Sequence, residues 1–226
     1  MTSILKIDSL TRRFVMASAA AIMLGACGGG DSNESLAAGE AVANFELPND
    51  HAIGSKDAPI VVVEYASVVC PACANWHNTV YPEFKEKYVE SGKVRFVFRE
   101  FPTPPRRIAD TGFAIANCVE KDRFMANIAA QYKRQDALLS SPDRGKAYED
   151  FAKASGLTVE EYESCLRDNE WRAEYEQKIK DARNAGVSST PTFFVNGKKQ
   201  TKLYTMDDFE RVLTPLLATE NKEAAE

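Results

Sequence analysis

The clearest pattern along the chain is a run of apolar, mostly β-branched residues that ends in two cysteines. Residues 60–65 read Ile-Val-Val-Val-Glu-Tyr, in which Glu64 is the one charged side chain. A run of this kind is typical of a central strand that is covered on both faces. Cys70-Pro71-Ala72-Cys73 follows, and apolar residues then recur every four positions: Trp76, Val80, Phe84 and Tyr88. This spacing predicts a helix that begins at about Pro71 and is interrupted at Pro82.

A second strand and a long helical block follow this helix. Residues 94–98 read Val-Arg-Phe-Val-Phe, a β-branched and aromatic composition that predicts a strand. The order strand, helix, strand implies a parallel pair with a right-handed crossover. Residues 106–184 have helical spacing almost throughout, and Thr158 with Glu161 predicts a capped helix start. A further short strand is predicted ahead of the cysteines, at residues 45–47.

The C-terminal part of the chain has the pattern of a β-hairpin and a closing helix. Residues 192–195 read Thr-Phe-Phe-Val and precede Asn196-Gly197, the strongest short hairpin signal. A returning strand is expected after this turn. The last helix is predicted to be capped by Thr205, which Asp207 and Asp208 follow. The polar sequence after Ala218 predicts a loose tail.

Together these elements predict an α/β fold with a four- or five-stranded mixed sheet. Cys73 and Pro191 are much further apart than one strand-helix-strand unit of roughly 30 residues requires, so a helical subdomain is expected to be inserted between them. The predicted boundaries are 43–105 and 187–218 for the sheet domain, 106–186 for the inserted helical subdomain, and 219–226 for the loose tail.

The N-terminus has the composition of an export signal. Three cationic residues precede an apolar run at residues 14–26, which is too short to span a bilayer. The run ends in Leu24-Gly25-Ala26-Cys27, which resembles the lipobox of bacterial lipoproteins, and the paired arginines resemble a twin-arginine signal. We expect residues 1–26 to be a signal peptide, Cys27 to be lipidated, and residues 27–42 to be a flexible tether. An ordinary signal peptide with an unmodified cysteine is the alternative.

Charge and cysteine usage narrow the functional classes. The net charge is −5 and no cluster of Lys and Arg stands out, so no nucleic-acid partner is expected. Five cysteines separate into Cys27, the Cys-x-x-Cys pair, and Cys118 with Cys165. In an oxidising compartment a disulfide between the last two is expected, whereas two buried free thiols are the alternative for a cytosolic protein.

The two thiols at the predicted helix start carry the candidate chemistry. Free backbone N–H groups and the helix dipole at this position favour a thiolate over a thiol. Cys70 and Cys73 could therefore cycle between dithiol and disulfide. A zinc site formed with His77 is the alternative, but the sequence supplies no fourth ligand. We expect neither a metal nor another cofactor.

Three motifs carry a resemblance to a known family. A strand that ends in Cys70-Pro71-Ala72-Cys73, Thr190-Pro191 before an aromatic strand, and Asn196-Gly197-Lys198 together resemble the thioredoxin superfamily. With the helical insertion and the export segment, residues 43–217 resemble the DsbA-like thiol:disulfide oxidoreductases. The resemblance implies that Cys70 is the nucleophile that forms mixed disulfides and that Cys73 is the resolving thiol.

The same resemblance assigns roles to the residues around the thiols. Pro191 matches a cis-proline that faces the disulfide, and it would contact a bound peptide together with Thr190, Pro71 and Ala72. Glu64 matches a buried acid that exchanges a proton with the resolving thiol. An exposed strand carboxylate is the alternative for that residue. Finally, some DsbA-like relatives have a second, non-catalytic disulfide, and the resemblance implies that Cys118 and Cys165 form it here.

The expected function is a periplasmic oxidase that introduces disulfides into reduced exported proteins. A membrane redox partner would reoxidise it, the lipid on Cys27 would tether it to the membrane, and it would act as a monomer. Ala72 stands where the most oxidising relatives have His, and Thr190 also occurs in isomerases and reductases. An isomerase or reductase of the same fold is therefore an alternative, as is a redox-silent envelope lipoprotein that binds peptides.

Overall fold

The structure is a computed structural model, and it describes residues 45–223. Five strands form one mixed sheet in the order β1-β3-β2-β4-β5. The strands are β1 His51–Ile53, β2 Ile60–Ala66, β3 Val94–Glu100, β4 Thr192–Val195 and β5 Lys198–Lys199. β2 pairs parallel with β3 and antiparallel with β4, while β1 and β5 are the antiparallel edges. The predicted mixed sheet and its parallel pair are confirmed.

The central position of β2 follows from its sequence. All seven residues of β2 are buried, which explains why apolar side chains occupy both faces of the run. β2 lies between β3 and β4, so that its backbone hydrogen bonds are satisfied on both edges. The C-terminal end of this strand leads directly into the two cysteines.

Helices make up most of the remaining described chain. They are α1 Pro71–Thr79, α2 Tyr81–Phe84, α3 Arg106–Cys118, α4 Phe124–Lys133, α5 Gln135–Ser140, α6 Arg144–Ala154, α7 Val159–Leu166, α8 Asn169–Asn184 and α9 Met206–Glu223. A π-helical segment, Lys85–Glu90, follows α2, and a short 3-10 helix, Lys121–Arg123, precedes α4. The predicted interruption near Pro82 is confirmed, since α1 ends at Thr79 and this proline lies in the first turn of α2.

Two groups of buried side chains form the interior. The larger group packs around the sheet, where the Trp76 ring contacts the rings of Phe193 and Phe209. The smaller group lies among α3 and α5–α7 and consists of Ile115, Leu138, Tyr148, Phe151, Ala152 and Tyr162. The helical block between β3 and β4 thus has apolar packing of its own beside the core of the sheet.

Local turn and cap signals are confirmed where the sequence was most specific. Asn196 and Gly197 both have positive φ, at 43° and 71°, as a two-residue hairpin turn requires. Asn196 also bonds Val61 through its backbone N–H and its side-chain oxygen, which fixes the hairpin to β2. Thr158 and Glu161 form both hydrogen bonds of a capping box at the start of α7.

Two predictions at the ends of the described chain are wrong. No strand forms at residues 45–47, because a turn closes there: the Asp50 backbone N–H bonds the Leu47 carbonyl, and Asn49 has φ of 66°. The first strand is β1 instead.

The tail after Ala218 is helical as far as residue 223, not loose, because α9 continues through Pro215 to Glu223. The sequence after this proline is rich in good helix formers, which offset one missing N–H.

Residues 1–44 lie outside the described residues. The predicted signal peptide, the lipidation site Cys27 and the tether up to residue 42 all fall there. Within residues 45–223, no helix is both long enough and apolar enough to cross a membrane.

Candidate active site

Cys70 occupies the N-cap position of α1. Its backbone is extended, with φ −84° and ψ 119°, and its sulfur accepts a hydrogen bond from the Cys73 backbone N–H at 3.4 Å. Pro71 is the first helical residue, a position where its missing N–H costs nothing. The Cys70 backbone N–H bonds the Ser67 carbonyl at 3.0 Å, so a tight turn joins the end of β2 to the helix. The thiol therefore points at free helix N–H groups.

The two thiols differ in both exposure and proton affinity. Cys70 is 8% exposed, whereas Cys73 is fully buried. Hydrogen bonding with Cys73 lowers the pKa of Cys70 to about 6, although burial opposes the shift. Burial raises the pKa of Cys73 well above its ordinary value, and its bond to Cys70 adds to this. The pair thus combines a slightly exposed thiol that ionises readily with a fully buried thiol that does not.

Thr190 and Pro191 form the opposite wall of the site. The Thr190–Pro191 peptide bond is cis, and the Thr190 carbonyl accepts a hydrogen bond from the Cys70 thiol at 3.3 Å. β4 begins directly after this bond and pairs with β2, which brings the loop against the cysteines. Pro71 and Ala72 are exposed beside the thiol. The structure therefore brings together all four residues for which the resemblance implies contact with a bound peptide.

Glu64 lies behind the thiols and is fully buried, so its alternative as an exposed carboxylate is wrong. Its Oε2 atom lies 2.7 Å from Nε2 of His77, and its Oε1 atom is buried without a hydrogen-bond partner among the described residues. From the sequence alone, His77 is only a candidate ligand of the alternative zinc site. No group of three or more metal-binding side chains is found in residues 45–223.

Sequence reasoning missed two further residues at the site, both from the helical block. Gln135 donates from Nε2 to the carbonyls of Val68 and Cys70, at 2.8 and 3.1 Å, and thereby holds the active-site turn. The Tyr132 ring stacks on His77 at 4.6 Å between centroids. Burial raises the pKa of Tyr132 well above its ordinary value, with the nearby Cys73 and Glu64 charges contributing. No local motif marks either residue, because each reaches the site from about 60 residues away in sequence.

Comparison with known proteins shows which family the chain belongs to. The family model described as thioredoxin matches residues 46–214. The chain belongs to the thioredoxin family. A Rickettsia bellii relative named as a protein-disulfide oxidoreductase is 33% identical over 175 residues, which make up 73% of this chain and 63% of the relative. This chain therefore spans less than two thirds of that relative's length.

A second relative and two solved structures extend the comparison. A Bacillus cereus protein named as disulfide bond formation protein D is 28% identical over 166 residues, 68% of this chain and 73% of that protein. The crystal structure of α-DsbA1 from Wolbachia pipientis has a TM-score of 0.72 at 24% identity and covers 83% of this chain and 99% of its own. BdbD from Bacillus subtilis has a TM-score of 0.65 at 18% identity, covering 75% and 93%. The predicted DsbA-like thioredoxin fold is thus confirmed.

The second cysteine pair of this thioredoxin-family chain lies in the helical block. Cys118, the last residue of α3, and Cys165 of α7 form a disulfide with Cα atoms 6.0 Å apart. The bond joins two helices that are 47 residues apart in sequence. Cys70 and Cys73 are both free, so the two pairs are separate.

A polar cavity of about 360 Å³ lies between β1, the end of β3, α3 and α8, and neither Cys70 nor Cys73 lines it. His51 bonds Asn117 at 3.0 Å there, and burial lowers the pKa of His51 to about 4. Asn117 also donates to Glu100, whose pKa burial raises to about 7. These groups pair with one another and take no part in the geometry of the thiols.

Proposed function

We propose that this chain is a thiol:disulfide oxidoreductase that introduces disulfides into reduced exported proteins by exchange through Cys70 and Cys73. The observation that carries the proposal is the asymmetry of the two thiols. A thiol with a pKa of about 6 leaves a mixed disulfide readily, while the fully buried Cys73 stays out of reach of other thiols. The names of the Rickettsia and Bacillus relatives support the same class of reaction.

The reaction would run in two exchanges. A substrate thiolate attacks Sγ of Cys70, the Cys70–Cys73 bond breaks, and Cys73 leaves as a thiolate that takes up a proton. A second substrate thiolate then attacks the substrate sulfur of the mixed disulfide, and Cys70 leaves as a thiolate. Two electrons pass from the substrate to the pair. Glu64 is the proposed proton partner of Cys73, because it is buried and electrostatically coupled to that thiol.

The loop at Thr190 and Pro191 is the proposed substrate surface. Its position against the Cys70 thiol supports this assignment, as does the exposure of Pro71 and Ala72, the two residues that follow Cys70. A substrate chain in extended form could then place its cysteine against Cys70 while its backbone bonds the loop.

A second candidate function differs from the first in the direction of electron transfer. The low pKa of Cys70 favours the reduced pair and hence the oxidase. Ala72, however, offers no side-chain donor to the thiolate, which favours a less oxidising pair and thus an isomerase or reductase of the same fold. A measured reduction potential near that of thioredoxin, about −270 mV, with reduced thiols in the cell would support the second candidate.

The decisive experiment uses the purified, oxidised chain and a reduced, unfolded test protein. The chain should accept two electrons per molecule from the test protein and leave it with a disulfide. Cys70→Ser should abolish this transfer, while Cys118→Ser combined with Cys165→Ser should retain it. Transfer that survives Cys70→Ser would refute the assignment of the exchange to Cys70. An oxidised wild-type chain that accepts no electrons would refute the proposal and leave a redox-silent, peptide-binding role.

Export and anchoring belong to the same proposal. The lipobox-like sequence at Cys27 supports a periplasmic protein tethered by a lipid, and a membrane redox partner would reoxidise its thiols. Labelled palmitate should be incorporated into the wild-type chain and lost in Cys27→Ala. An unlabelled wild-type chain that is released as a soluble protein on lysis would refute the anchor.

A further inference from the structure

A buried carboxylate and a buried imidazole face each other behind the two thiols. Glu64 of β2 is fully buried, and His77, one turn after Cys73 on α1, is 6% exposed. Nε2 of His77 holds one carboxylate oxygen at 2.7 Å. The other oxygen is buried and unbonded within the described residues. One oxygen is therefore anchored, and the other is available to exchange a proton.

The surroundings of this pair are aromatic. The rings that lie within 6.0 Å of the His77 ring, between centroids, belong to Trp76, Tyr81, Phe98 and Tyr132. Three titratable groups of the described residues face the pair: Cys73 from α1, Tyr81 from α2 and Tyr132 from α4. The neighbours of Glu64 on β3 and β4 are Phe98 and Phe193, which do not titrate. In the part of the chain that the structure describes, the hydrogen-bond partner of the Glu64 side chain is His77. Without that imidazole, ionising the buried Glu64 would carry a large free-energy penalty, because no solvent reaches the carboxylate.

The chemistry of Cys73 makes this pair relevant. Burial raises the pKa of Cys73 well above its ordinary value, and the Glu64 charge contributes to the shift. A Cys73 thiolate released by disulfide opening is therefore a poor leaving group unless a proton reaches it. Supplying that proton from Glu64 creates a buried carboxylate. The group in contact with that carboxylate is His77.

We propose that His77 is a positioning residue for the exchange: it anchors Glu64 and stabilises its carboxylate while Cys73 takes up a proton. The inference rests on the proposed function, since it concerns the same two thiols. In the step, an attacking thiolate forms a bond to Sγ of Cys70 and the Cys70–Cys73 bond breaks. The electron pair goes to Sγ of Cys73, which takes the proton from Glu64. The reverse reaction returns that proton.

The test measures how fast dithiothreitol opens the Cys70–Cys73 disulfide of the oxidised full chain, by acid quench and thiol labelling at several pH values. His77→Phe keeps a ring on Tyr132 but removes the N–H, whereas His77→Gln keeps an N–H donor. The attacking thiol is common to all variants, so its ionisation cancels in the rate ratios. His77→Phe should open at least about tenfold more slowly than wild type, and His77→Gln should recover most of the loss.

Matched substitutions at His51, which lies away from the thiols, provide the control and should leave the rate unchanged. An opening rate of His77→Phe equal to that of wild type would overturn the inference, and so would His77→Gln being as slow as His77→Phe. Should His77→Phe not fold, His77→Asn replaces it, because its shorter amide does not reach Glu64. A wild-type chain that opens normally yet fails to oxidise a test protein would refute the proposed function and leave the His77 result standing.

Discussion

Titration of the Cys70 thiol gives the most direct check on the site. Its pKa of about 6 in the folded chain lies below the ordinary value of 9.0 because Cys73 hydrogen-bonds its thiolate. A lowered folded-state pKa stabilises the reduced, folded chain above the unfolded-state value, and this stabilisation is lost as the pH falls through the folded-state pKa. The reduced chain should therefore become more stable between pH 6 and pH 8.

The size of this effect follows from the shift. At 1.36 kcal/mol per pKa unit, Cys70 should add about 1.4 kcal/mol at pH 7 and about 2 kcal/mol between pH 6 and pH 8. The free energy of unfolding of the reduced chain, measured in urea against Cys70→Ser in the same reductant, isolates this contribution because other titrating groups are shared. Thiolate absorbance at 240 nm reports the same midpoint independently.

A clear outcome would refute this reasoning. If the absorbance of the reduced chain has its midpoint near 9, Cys70 receives no stabilisation from the helix start or from Cys73. If the difference in unfolding free energy between wild type and Cys70→Ser is the same at pH 6 and pH 8, the thiolate contributes nothing to folding. In either case the asymmetry that carries the proposed function would be lost.

Three further predictions concern the stability of the scaffold, each measured by urea unfolding. Gly112→Ala should cost about 1–3 kcal/mol because its Cβ would collide with a buried glutamine of α4; Gly145→Ala, whose Cβ meets nothing nearer than 3.4 Å, should cost nothing. Gln135→Leu should cost about 1–3 kcal/mol because two turn carbonyls lose their donor. Cys118→Ala with Cys165→Ala should cost about 2–4 kcal/mol, a difference that excess reductant removes.

The sequence predicts those parts of the fold that depend on interactions between residues close together in the chain. The apolar run of β2, the Asn196-Gly197 turn and the Thr158 cap each depend on a few neighbouring residues, and each is present. The sequence does not locate β1, because this strand is only three residues long and its pairing with β3 decides its position.

The site was predicted only as far as its motifs extend. The two cysteines and the Thr190–Pro191 loop stand out in the sequence because each belongs to a short pattern. Gln135 does not, since its role is to donate to carbonyls of a turn more than 60 residues earlier. The contact between Glu64 and His77 depends on how α1 crosses the sheet, which residue spacing alone does not give.

The pairing of β2 with β4 also governs how a newly made chain must assemble. The two strands lie side by side in the sheet although about 130 residues of sequence separate Glu64 from its neighbour Phe193. During synthesis, the thiols emerge long before the wall that faces them, and one edge of β2 stays open until residue 195 is available. A chain cut short before β4 would expose that apolar edge, so we expect it to aggregate rather than to act as a smaller version of the protein.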